Sequence, residues 1–170
     1  MIKRPEAGEY AAYADAYVSM LSVGVDVLQI LAETQQSTYD LLAHLTEEKA
    51  LYAYAEGKWT IKEVLGHMID TERVFAFRAF CFSRAFAELA GFDQDEYVNK
   101  TNYNGRSIKS LAEEFRITRQ SNLYMFRSLT EEQQIRKGIA SGQPITVRAL
   151  VYLTAGHELY HLRILKEKYL

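Results

Sequence analysis

The chain has 170 residues, 48% hydrophobic and 25% charged, with a formal net charge of −2; this length suits one domain with room for a core. Acids and bases are interspersed rather than blocked, so the basic footprint of a nucleic-acid binder is missing and no nucleic-acid partner is expected. The single cysteine, Cys81, excludes an internal disulfide and a multi-thiolate zinc site; no stretch approaches the roughly 18 apolar residues of a membrane span, and MIKRPEAGEY lacks a signal-peptide apolar core, so a cytoplasmic protein without membrane contact is expected.

Two prolines, Pro5 and Pro144, and apolar residues spaced mostly by three and four predict an all-α chain, one domain over 1–170. Residues 1–24 read as an N-terminal arm, in which EYAAYADAYVSML sets Tyr10, Tyr13 and Tyr17 on one helical stripe able to dock on the main body or on a second subunit. From Val25 to His44 the spacing of Leu28, Leu31 and Leu42, with Leu45 following, predicts a first long helix. TEEKALYAYAEGKW reads as an irregular connection with an extended piece. TIKE then offers Thr60 as N-cap and Glu63 three residues later, a capping box opening a second long helix predicted to reach about Leu89.

GFDQDEYVNKTNYNGRS follows, long for a loop inside one domain and therefore a functional loop or a crossover. It is not a calcium loop: counted from Asp93, the turn position holds Val98 rather than Gly, and the last ligand position holds Asn104 rather than Glu. A third helix is predicted over Ser107–Leu129 with Ile108, Leu111, Phe115, Leu123 and Phe126 inward. TEEQQIRKGIASGQPIT gives a turn and a short extended stretch, and a final helix starts near Thr146. Four long helices with one long crossover predict a four-helix bundle.

The final helix contains GHELYHLRIL, with the H-E-x-x-H spacing of many zinc proteases. Histidines four apart share a helix face, so His157 and His161 can hold one ion. A protease is excluded by its missing third ligand: none of the residues after His161 is a histidine, and Glu167 lies away from the His157/His161 edge. Both histidines fall on the inward stripe Val147, Leu150, Thr154, His157, His161, Ile164 and Leu165. Inward imidazoles need partners, either ordinary hydrogen bonds or a metal. If a metal, the third ligand comes from upstream. His67 sits beside Val64 and Val74 on an edge that can face the interior, whereas His44 ends the first helix, where a cation is ordinarily favourable. Three histidines with an open fourth position form a catalytic-type zinc arrangement.

Around them, Glu158 is a candidate base, with a solvated or interhelical salt bridge as its alternative. Asp70 can orient a ligand ring or pair with Arg73 or Arg78. Trp59 can wall a pocket, Tyr160 offers a phenol, and the crossover around Tyr97 and Tyr103 can cover the site.

The stretches GKWTIKEVLGHMIDTERVFAFRAF, GFDQDEYV and ITVRALVYLTAGHELYHLRIL, in that order, resemble the DinB-like (damage-inducible) family of metal-binding four-helix bundles, which includes metal-dependent hydrolases of the YfiT type. The resemblance implies that His67, His157 and His161 bind one divalent ion, zinc or nickel, with water completing the shell. Relatives include S-transferases that use bacillithiol and an isomerase that uses mycothiol, so a low-molecular-weight thiol is implied as cosubstrate and a homodimer as the assembly. The expected function is a metal-dependent enzyme acting on a small molecule, by transfer of such a thiol to small electrophiles or by hydrolysis. The alternative is a non-catalytic, stress-associated metal-binding or interaction protein.

Overall fold

The computed structural model describes residues Met1–Leu170. Four long helices carry the fold: α2 (Val27–Leu42), α4 (Ile61–Arg84), α6 (Ile108–Arg127) and α8 (Val147–Ile164), the last ending in a π-helical turn over Leu165–Tyr169. Short helices α1 (Asp15–Val18), α3 (Glu47–Ala50), α5 (Gln94–Lys100) and α7 (Glu131–Ile135) lie between them. A small sheet of β1 (Glu88–Leu89), β2 (Lys137–Ala140) and β3 (Gln143–Thr146) closes one end. No helix is long and apolar enough to cross a membrane.

The long helices start where their caps dictate. The Asp26, Thr60, Ser107 and Thr146 side chains each accept a backbone N–H of the following first turn, satisfying donors that have no intrahelical partner. At Thr60 the capping box is complete, and the crossover reinforces it: Thr60 Oγ1 donates to Asn104 Oδ1, and Asn104 Nδ2 donates to Glu63 Oε1. The crossover therefore returns from the C-terminal end of α4 to its start, so α6 begins beside the beginning of α4 and runs parallel to it. Tyr169 donates its hydroxyl to the Trp59 carbonyl, which brings the end of α8 to the same place.

Neighbouring helices pack as α2 with α6, α6 with α4, α4 with α8, and α8 with α2. Helices α2 and α4, successive long helices of the chain, thus stand on a diagonal, unlike an up-down-up-down bundle in which successive helices are neighbours. Helix α8 is buried nearly all round over Val147–Glu158, as expected of a helix with apolar residues on every side. Helix α1 crosses it so closely that a Cβ at Gly156 would lie 2.0 Å from the Tyr17 carbonyl oxygen; only glycine permits that approach.

Several boundaries differ from expectation. The second long helix stops at Arg84 rather than near Leu89, because Ala85 is extended and Glu88–Leu89 pairs in parallel with Ile139–Ala140. Nothing in the alanine-rich local sequence marks that stop; the strand partner lies about fifty residues away. β2 and β3 join through Ser141 and Gly142, both with positive φ, the two-residue hairpin turn suited to twisted strands. TEEKALYAYAEGKW forms α3 and turns, with no strand, and the crossover contains α5, capped by Asp93.

The expected tyrosine stripe is broken. Ala12–Ala14 is a 3₁₀ turn before α1, which leaves Tyr13 exposed while Tyr17 packs inward on His157 and Tyr160. The arm docks on the bundle itself: Ile2 is buried and its carbonyl accepts the Tyr152 hydroxyl, and Arg148 donates to the Glu9 carboxylate, while Arg4 ties the arm together by donating to the Val18 and Leu21 carbonyls.

The interior is divided in two. One apolar cluster gathers Leu31, Ala76, Phe82, Leu123 and Ala155; the other gathers Leu42, Leu65, Met68, Phe115 and Leu162. Between them, on all four long helices, lies a polar layer built from Thr34, Glu72, Arg119 and Glu158.

Candidate metal centre

His67 is on the second turn of α4, and His157 and His161 are one turn apart near the end of α8. Because α4 and α8 are antiparallel neighbours, the three rings meet. Each offers one nitrogen, and these nitrogens lie within 4.8 Å of one another. His157 Nε2 is 3.0 Å from His67 Nε2 and 3.1 Å from His161 Nε2. A ring nitrogen carries either one proton or one lone pair, so the His157 nitrogen cannot satisfy both neighbours by hydrogen bonding. One cation facing all three lone pairs can. Tetrahedral ligands at 2.0–2.1 Å from zinc would sit about 3.3–3.4 Å apart, close to the two spacings at His157. This is the cluster expected from the sequence; His44 stays exposed after the end of α2 and takes no part.

Burial sets the protonation. His67 is pulled down to about 4 and His161 to about 3, both chiefly by loss of water; His157 is lowered well below its usual value by burial and then by the other two rings. All three are neutral near pH 7, the state a metal requires. Thr71 Oγ1 lies 3.4 Å from His67 Nδ1. With the Nδ1–H directed at that hydroxyl, the Nε2 lone pair of His67 faces the cluster. Thr71, one turn after His67, fills the place expected of Asp70. Asp70 instead accepts the Tyr103 hydroxyl and stands 3.8 Å from Arg73. The spacing His67-x-x-x-Thr71 was the signal for this partner.

Glu158 follows His157 but turns away from the ring cluster. Its Oε1 accepts Thr38 Oγ1 at 2.6 Å, and its Oε2 accepts Thr34 Oγ1 at 2.7 Å and Arg119 Nη1 at 2.6 Å. Arg119 also grips both oxygens of Glu72. The expected base is thus the interhelical salt bridge given as its alternative: both carboxylate oxygens are occupied in a layer with no exposure to solvent at Arg119. The reason is rotational, since the next residue along a helix lies about 100° round its axis. One guanidinium between two carboxylates leaves this layer formally negative beside His157, which favours a cation at the histidines.

Trp59 lies over the His67 ring at 4.9 Å between centroids. Tyr160 packs edge-on against His161 and Tyr17. His161 opens onto a cleft of about 260 Å³ whose walls include Trp59, Tyr54, Tyr169, Lys58, Gln94 and Asp95. The crossover therefore reaches the site, but through Gln94 and Asp95 at the start of α5. Tyr103 is buried under its bond to Asp70, and Tyr97 packs on Phe92. Sequence reasoning missed Gln94 and Asp95; only the N-cap at Asp93 hinted that a helix would present them.

The sequence pattern of the DinB superfamily matches residues 30–165. The chain belongs to the DinB superfamily. The match takes in all four long helices apart from the first residues of α2, and leaves the N-terminal arm outside it. No curated relative matches in sequence. Among solved structures, this DinB chain is similar to YfiT from Bacillus subtilis, described as a probable metal-dependent hydrolase with an unusual four-helix bundle topology. The TM-score is 0.69 at 15% identity, covering 96% of this chain and 89% of that one. It is also similar to the DinB-like protein YjoA from Bacillus subtilis, with a TM-score of 0.60 at 20% identity over 83% of this chain and 87% of that one. At such identities the likeness concerns the fold alone.

Proposed function

We propose that this DinB protein is a metal-dependent enzyme that holds one divalent ion, zinc or nickel, on His67, His157 and His161 and acts on a small molecule in the cleft beside His161. The observation that carries the proposal is the opening of a three-nitrogen cluster onto a cleft. A purely structural zinc site fills its fourth position with protein, whereas here the residues beyond His161 line a space large enough for a small ligand. The description of YfiT as a probable metal-dependent hydrolase points the same way.

When bound, such an ion ionises a coordinated thiol outright and lowers the pKa of a coordinated water toward about 7. The chain supplies the rest. Neutral imidazoles present the lone pairs, Thr71 holds His67 in the right tautomer, and Trp59 keeps one side of the cluster dry. The engagement of Glu158 favours transfer of a low-molecular-weight thiol to an electrophile over hydrolysis assisted by a base: a thiol needs no neighbouring carboxylate to ionise on a metal, and the carboxylate next to His157 is held by Arg119. Hydrolysis is the second reading, with Asp95, the carboxylate that lines the cleft, as the group available to take a proton.

The test is metal content by mass spectrometry of natively purified protein beside His67→Ala and His157→Ala, followed by thiol titration of the cobalt- or nickel-substituted protein. About one equivalent of metal, absent from both variants, with a thiol-dependent change in the ion's spectrum, is the expected result. A metal that ignores thiols moves the assignment to hydrolysis. Wild-type protein that takes up no metal on reloading overturns the centre.

A further inference from the structure

Six charged side chains of this fold are buried: Lys62, Glu72, Arg78, Arg119, Arg148 and Glu158. Five have a partner of opposite charge, Lys62 with Glu47, Arg148 with Glu9, and Arg119 with Glu72 and Glu158. Arg78 is the exception. Only 7% exposed, it forms no ion pair. Its Nη2 donates to the Ala90 carbonyl at 2.9 Å and to Ser141 Oγ at 3.3 Å, and its Nε and Nη1 find no acceptor in the protein. Burial pulls its pKa down, with no carboxylate to oppose the effect. A buried guanidinium without a counter-ion is costly, and clamping two neutral oxygens uses only one of its nitrogens.

Arg78 also lines an open groove of about 420 Å³ between α4 and the crossover. The other walls are apolar: Val74, Phe77, Leu89, Phe92 and Tyr97. Phe77 and Tyr97 are about half exposed, although large apolar side chains gathered on a surface mark binding sites. Arg73, at the rim, is already paired with Glu114. One unpaired cation in an apolar groove selects a ligand that joins an anionic head to an apolar body, since a few placed polar groups in a hydrophobic lining fix orientation and specificity. Guanidinium groups are suited to carboxylates.

We propose that this groove is a second ligand site, for an amphipathic organic carboxylate whose head group meets Arg78. It is separate from the histidine cluster: Arg78 is eleven residues beyond His67 on α4, about 16 Å along the helix. The crossover lines both, sending Gln94 and Asp95 to the histidine cleft and Tyr97 to this groove. The site does not depend on the metal.

The test is a titration with octanoate followed by amide NMR shifts, on metal-free and zinc-loaded protein. Saturable shifts over Val74–Arg78 and Leu89–Tyr97 are expected, with the same affinity in both forms. 1-Octanol on the unaltered chain should bind at least tenfold more weakly, and Arg78→Gln should weaken octanoate binding at least tenfold. The octanol comparison stands even if that variant folds poorly. The proposal is overturned if the groove shows no saturable shift, if octanol binds as tightly as octanoate, or if octanoate binding disappears with the metal, which would return the ligand to the histidines.

Discussion

Two buried polar clusters meet at adjacent residues of α8, one at His157 and one at Glu158, and they differ in how they are satisfied. Around Glu158 every carboxylate oxygen has a donor: Arg119, Thr34, Thr38 and Asn122 complete the set with Glu72. Around His157 one nitrogen faces two others and cannot bond both. A closed network holds helices together, whereas an open one accepts something from outside. Burial and proximity alone do not mark a reactive site; a group whose neighbours cannot all be satisfied within the protein does.

The largest expected effect breaks the closed cluster. Arg119→Met leaves Glu72 and Glu158 buried without their cation, and removal of one partner from such a network costs about 3–5 kcal/mol. A urea denaturation midpoint close to wild type would contradict this account of the layer. The combination Glu72→Leu, Arg119→Met and Glu158→Leu should recover much of the loss, because apolar residues of similar volume replace buried ion triads at little cost.

The open cluster should respond to metal instead. Zinc at a hundredfold over its dissociation constant adds about 2.7 kcal/mol to the native state by mass action. Wild type should show that gain in thermal unfolding and His157→Ala should not; an equal gain in both would place the ion elsewhere.

Proton uptake gives a third contrast. In metal-free protein burial holds His67 at about 4 and His161 at about 3, against about 6.5 in an unfolded chain. The unfolded chain therefore binds more protons below about pH 6.5. Stability present above that pH is lost as pH falls toward 4 and then 3. Urea midpoints at pH 7.5 and pH 5 should differ in wild type and differ less in His67→Phe; identical shifts would remove the histidines as the cause. Zinc-loaded protein should lose stability more steeply, because protons compete with the ion for the same nitrogens.

The smallest change tests orientation alone. Thr71→Val keeps the volume and removes the hydroxyl that faces His67 Nδ1, and loss of such a partner typically weakens metal affinity by about tenfold or more. Competition against a chromophoric chelator would measure it, and unchanged affinity would mean that Thr71 does not orient the ring.

Much of this was legible in the sequence because it is local. The Thr60 capping box, the Thr146 start of α8, the inward stripe of α6 and the i, i+4 pair His157/His161 all follow from helical periodicity within a few residues. His67 could be nominated from its apolar flanks. The failures share a different cause. The stop at Arg84, the capture of Asp70 by Tyr103, the arrival of Gln94 and Asp95 at the cleft and the capture of Glu158 by Arg119 each depend on a partner far away along the chain.

The four helices, the Thr60 cap and the shared face of His157 and His161 are written in local spacing and in the chemistry of single side chains, and so are fixed by the amino-acid sequence alone. That α2 and α4 stand diagonally, that α6 runs parallel to α4, and that an arginine from α6 reaches the carboxylate next to His157 emerges only when the helices pack. Those outcomes turn on burying two apolar clusters around one polar layer, a condition on the whole chain that no local window contains.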